Sequence, residues 1–247
     1  MDSINLLGKR QRQQNMIWGG DITDQFSSCC LVSPREASQL IMLTTRIAST
    51  LIMSLLIASA YYVATNKAEF FLYYSHWSMI SLFVMFFAGA VTSFFGRFEK
   101  NNGNDRLPWY VNIQWLFFNV ACSSNLLTSA IYFIVIMVYK YHNNISSPVN
   151  NVIHFCNSLV VLFEVCVSSV PVRLKHVYQP LLFTLFYGFF LACYNYYTGD
   201  PVYRFLDWSN GREMFKLSSC CVLLLLTFYV ILYTVHVVKE KVINTIV

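Results

Sequence analysis

The sequence predicts an all-α, polytopic membrane protein, a bundle of six transmembrane helices. Two observations carry that prediction. Six stretches are each long and apolar enough to cross a bilayer, and together they occupy more than half of the 247 residues. In addition, 56% of residues are hydrophobic, only 12% are charged, and mean hydropathy is +0.50. A water-soluble domain of this length could not cover such a composition with polar surface.

Taken in order, residues 1–40 are polar and lack an apolar core, so they are expected to form a flexible cytoplasmic segment. No apolar block follows the basic start, as it would in a cleavable signal, and the first span is expected to serve as the insertion signal. A crossing needs roughly 20 residues at about 1.5 Å of rise each. The stretches that meet this are Ile41–Ala64, Phe70–Phe95, Tyr110–Tyr139, Val152–Val170, Leu181–Tyr197 and Leu217–Val238. They make residues 41–238 one membrane domain, followed by a cytoplasmic tail at 239–247. The connecting loops are short, and none has room for a soluble catalytic domain.

Lys and Arg near membrane ends tend to stay in the cytoplasm. One side of the alternating chain holds Lys9, Arg10, Arg12, Arg35, Arg46, Arg97, Lys100, Arg106, Arg173, Lys175, Lys239 and Lys241. The other holds Lys67, Lys140, Arg204, Arg212 and Lys216. Both termini are therefore expected in the cytoplasm, in the plasma membrane or the endoplasmic reticulum. Asn144-Ile145-Ser146 fits the glycosylation acceptor pattern and falls in a loop on the outer side.

The net charge of +5 does not indicate nucleic acid, because the basic residues are spread over membrane-flanking loops. Anionic lipid headgroups explain it better, above all around Arg173, Lys175 and His176. Six of the eight cysteines lie within spans and no Cys-x-x-Cys occurs, so no metal site or cofactor is expected. Cys29 and Cys30, adjacent and near the first span, are candidates for lipidation.

Polar residues inside the spans cost free energy unless they face the bundle interior, a partner or water. His154, Asn157, Val161, Glu164 and Ser168 share one helical face of the fourth span. That face is expected to look inward, with Glu164 paired to Asn119 or Gln114 of the third span in a polar clamp. A charge like that of Glu164 costs about 2.5–3.5 kcal/mol on an insertion scale.

Spans two and four run in the same direction, so Ser75 and His154, each near the start of its span, lie at similar depth. A serine hydroxyl becomes a nucleophile when a base within hydrogen-bond reach takes its proton, and histidine is the usual base. The loop after span five returns Tyr203, Asp207 and Trp208 to the same side. Glu164 stands ten residues beyond His154, about 15 Å along a helix, too far to orient the imidazole. Asp207 is the better candidate for that role. Asn157, His76 and the Trp208 indole are candidates for binding substrate or the oxyanion. Each of these residues also has a simpler role, as a packing hydroxyl, an interfacial histidine or a belt aromatic.

The stretch Phe71-Leu72-Tyr73-Tyr74-Ser75-His76-Trp77 resembles the rolling stone proteins, as do His154 through Asn157 to Glu164, Pro171 through Pro180, and Phe205-Leu206-Asp207-Trp208. That family is in turn similar to the androgen-induced, six-span membrane hydrolases. The resemblance covers roughly residues 40–240 and is densest from 154 to 208. It implies an intramembrane hydrolase of fatty acid esters, with Ser75 at the position of the family's threonine nucleophile and His154 at that of its base. Two residues depart from the pattern: Ser75 itself and His76, where Asn or Asp is expected. The rolling stone branch implies a second reading, a non-enzymatic membrane protein of myoblast fusion type. Membrane lipids, an amphiphilic ester and lateral membrane-protein partners are the expected associates, with Gly89 and Ser93 as a small-residue contact on span two.

Overall fold

The computed structural model describes residues 22–32, 35–64, 66–98, 107–139, 148–203 and 208–246. Among the described residues seven α-helices follow one another: α1 Ile22–Ser27, α2 Arg35–Val63, α3 Tyr74–Gly96, α4 Trp109–Tyr139, α5 Pro148–Val167, α6 Tyr178–Thr198 and α7 Gly211–Ile246. Short 3-10 turns precede α3 at Glu69–Leu72 and α6 at Leu174–His176. No strand occurs among the described residues.

Among the described residues six helices have the length and composition of membrane spans, over Glu36–Val63, Tyr74–Gly96, Trp109–Val135, Val149–Val167, Leu174–Thr198 and Gly211–Ile243. The chain is an integral, multi-pass membrane protein. Five of the six spanning helices begin earlier than hydropathy alone places them, and α3 begins later, at Tyr74. A helix continues past its apolar stretch wherever polar side chains find partners, as Ser38 and Gln39 do at the start of α2.

α4 is central and packs against α3, α5, α6 and α7. The main core joins Met79, Leu82, Met85 and Phe86 of α3 to Phe118, Ala121 and Cys122 of α4, Val161 and Val165 of α5, and Tyr229 of α7. A smaller cluster unites Tyr74, Leu127, Tyr187, Leu191 and Leu225. Lipid-facing surfaces carry exposed aromatics and aliphatics such as Leu55, Phe87, Phe186 and Leu223. Such exposure suits a hydrocarbon solvent.

The first described residues and the end of α7 lie at the same end of the bundle. Lys239 of α7 donates to the carbonyls of Val165 and Ser168 at the close of α5, and the Cys30 amide donates to Val167 there. We call this the termini end and the opposite one the distal end.

At the termini end the structure differs from the expected flexible segment over residues 22–40. The aromatic ring of Phe26 supplies the apolar anchor. It is fully buried and meets Trp115 edge-on at 5.3 Å. Ser38 Oγ donates to the Cys29 carbonyl and accepts from the Cys29 amide, both at 2.8 Å. Gly96 closes α3 where a Cβ would lie 2.9 Å from Ser27, so only glycine admits α1 this closely. Phe26→Ala should cost about 3–5 kcal/mol. Thermal unfolding in detergent should show the loss, and limited proteolysis should show residues 22–40 released.

Candidate functional site

Arg46 lies in α2 and Glu164 in α5, and both are buried, at 0% and 2% side-chain exposure. Arg46 Nη2 and Nε donate to Glu164 Oε1 at 2.8 and 3.0 Å. Its Nη1 donates to Ser93 Oγ at 2.8 Å, to the Gly89 carbonyl at 3.2 Å and to the Phe26 carbonyl. Gln114 Nε2 reaches the same Phe26 carbonyl at 3.3 Å. One guanidinium thus ties α1, α2, α3 and α5 together.

The partner of Glu164 is therefore Arg46, where the sequence suggested Asn119 or Gln114. Asn119 instead donates to Gln179 Oε1 at 2.9 Å and accepts from the Tyr229 hydroxyl at 3.2 Å. Gly89 and Ser93 face Arg46 inside the bundle and are not a lateral contact surface. A Cβ on Gly89 would stand 3.0 Å from Arg46 Cδ.

At the distal end the loop after α6 folds back onto the start of α3. Nothing in Tyr73 caps that helix, and the first amides of any helix lack intrahelical acceptors. The Tyr203 hydroxyl accepts from the Tyr74 amide at 2.9 Å and lies 3.2 Å from the Tyr187 hydroxyl, which donates to the Leu72 carbonyl at 2.6 Å. Burial pushes the Tyr203 phenol above its ordinary pKa. Trp208 packs half-buried against the Tyr74–Tyr187 cluster.

Ser75 sits in the first turn of α3, half-buried. Among the described residues no hydrogen bond joins its hydroxyl to His154. His154 is 8% exposed, stacks on Tyr132 with ring centroids 4.0 Å apart, and leaves Nδ1 without a partner among the described residues. One turn along α5, Asn157 is 1% exposed and its Oδ1 is also unpartnered. His76 Nδ1 is 2.5 Å from the Phe70 carbonyl and its ring stacks on Phe70 at 3.9 Å. A neutral ring that donates from Nδ1 presents an acceptor at Nε2, which suits His76 poorly as an oxyanion donor.

His154 and Asn157 thus lie one turn apart on α5, while Ser75 and His76 open α3 and Trp208 packs on the Tyr74–Tyr187 cluster. Asp207 and Asn144 lie outside the described residues. Among the described residues no group of His, Cys, Asp or Glu side chains could hold a metal ion. The basic loop between α5 and α6 is partly engaged by protein. Arg173 stands 4.9 Å above the Trp115 ring, whose indole donates to the Pro171 carbonyl at 2.8 Å.

Gly89→Val should cost about 1–3 kcal/mol through overpacking. The loss should shrink when Arg46 is also shortened to Ala, as chemical unfolding in detergent would show.

No family model matches the chain, and no solved structure matches it. It is similar to Protein rolling stone of Drosophila melanogaster, with 23% identity over 141 residues, 53% of this chain and 50% of the fly protein. The matched stretch spans about half the length of that relative. A distant, rolling stone-like kinship is what this similarity supports for the six-span membrane chain.

Proposed function

We propose that this rolling stone-like protein hydrolyses fatty acid esters within the bilayer, with Ser75 as nucleophile and His154 as base. The observation that carries the reading is the His154 imidazole, buried at the distal end with Nδ1 unpartnered, one turn from the unpartnered Asn157 Oδ1. Buried polar atoms in native proteins are nearly always bonded, and those left open call for an explanation, of which a catalytic role is one.

In this reading both termini are cytoplasmic, in the plasma membrane or endoplasmic reticulum, and an amphiphilic ester enters laterally from the outer leaflet. Ser75 attacks the ester carbonyl while His154 takes its proton, and the proton then passes to the departing alkoxide. Water, deprotonated by the same imidazole, releases the acid and restores Ser75. Asn157 Nδ2 and the Trp208 indole serve the oxyanion. Hydrogen bonds between catalytic groups are often long before substrate binds, so the open Ser75–His154 arrangement is compatible with this role.

That same open arrangement is the observation favouring the second reading, a non-enzymatic membrane protein acting in cell–cell interaction or fusion. A serine-reactive fluorophosphonate probe separates the two. Labelling of the wild type should fall by about 100-fold or more in His154→Ala, the scale of general-base catalysis, and vanish in Ser75→Ala. Wild-type protein that never labels, or labelling that survives both substitutions, would remove the hydrolase.

A further inference from the structure

α4 grips the His154 segment of α5 through three contacts. The His154 ring stacks on the Tyr132 ring, with centroids 4.0 Å apart and planes 20° from parallel. The Tyr132 hydroxyl donates to Asn151 Oδ1 at 2.9 Å, and Ser129 Oγ donates to the His154 backbone carbonyl at 3.0 Å. Ser129 and Tyr132 are spaced i, i+3 on α4, as are Asn151 and His154 on α5, so one face of each helix supplies both partners.

Each contact fixes a different freedom. The Ser129 bond holds the backbone at position 154 against α4. The bond to Asn151 tethers the Tyr132 phenol at its far end, so the ring cannot swing away without breaking it. The tethered phenol lies along the face of the imidazole. The torsion about Cβ–Cγ of a histidine is otherwise broad, but here rotation would drive the imidazole edge into the neighbouring ring. A stack holds an imidazole by its face and engages neither nitrogen, which leaves the ring edge to carry a proton. A general base works only while its nitrogen points at the proton it takes, and small misplacements cost large factors in rate.

We propose that Tyr132 is a positioning residue for the His154 base, and that Asn151 holds Tyr132 in place for that role. The proposal rests on the hydrolase reading and deepens it. Tyr132 acts through the imidazole and takes no part in bond making or breaking.

Full-length protein in lipid nanodiscs, treated with the fluorophosphonate probe, gives three separate readings: the rate constant at saturating probe, the probe concentration at half-maximal rate, and the labelled fraction at completion. Tyr132→Leu should lower the rate constant by about 10-fold or more, with the other two unchanged. Loss of folded protein would instead lower the final fraction at an unchanged rate. Tyr132→Phe keeps the stack and loses the hydroxyl, so its rate should fall by about threefold, the scale of one hydrogen bond. Asn151→Ala breaks the same bond, and combining it with Tyr132→Phe should lower the rate no further.

Tyr132→Leu that labels at the wild-type rate, or with a deficit confined to the final fraction, would overturn the positioning role and leave the Ser75–His154 pair standing. If Tyr132→Leu does not fold, Tyr132→Phe decides: slower labelling supports the proposal and the wild-type rate overturns it. Losses in Tyr132→Phe and Asn151→Ala that multiply would overturn the part given to Asn151. Wild-type protein that never labels would remove the hydrolase and this proposal with it.

Discussion

Everything at the termini end of this bundle depends on one buried guanidinium. Arg46 and Glu164 are removed from both lipid and water, and each alone would be a severe cost in that setting. Together, with Ser93 and two backbone carbonyls satisfying Nη1, they form a site at which four helices must meet in one register. A lysine could not replace Arg46. The planar fork lets Nε and Nη2 hold the carboxylate while Nη1 turns to α1 and α3, a division that a single ammonium lacks. The glycine at position 89 follows from the same demand, because its missing Cβ is what lets the arginine stem pass.

The distal end is organised by different chemistry. There the polar partners are phenols and hydroxyls: Tyr203 caps α3, Tyr187 meets Leu72, and the Tyr74 hydroxyl stands 2.7 Å from Thr184 Oγ1. Neutral donors of this kind hold a loop over the membrane core without charge. They leave His154 and Asn157 as the buried groups there with open hydrogen-bonding atoms. The two ends thus differ: an ion pair fixes the bundle at one, and an uncharged layer of phenols and hydroxyls holds the other.

Much of this architecture was legible in the sequence. Each span is an apolar run near the thickness of a bilayer, and such runs leave little freedom in fold class. The Arg46–Glu164 pairing was legible in principle as well. Within the six stretches read from hydropathy, these are the only residues among Asp, Glu, Lys and Arg. Counting Arg46 as a membrane-flanking charge concealed it. The docking of residues 22–40 was less accessible, since a single Phe26 and scattered hydrogen bonds leave no periodic pattern. Depth along a span could bring Ser75 and His154 into one layer, but rotamers and helix rotation decide whether their side chains meet. Those depend on packing that a lone sequence does not encode locally.

A double-mutant cycle on Arg46 and Glu164, in lipid nanodiscs, tests the central claim most directly. Arg46→Leu and Glu164→Leu alone should each destabilise the bundle by about 3–5 kcal/mol, by leaving a buried charge without its partner. The combined variant should recover most of that loss, giving a coupling of several kcal/mol. Two losses that simply add would contradict the account, because the residues would then be acting independently.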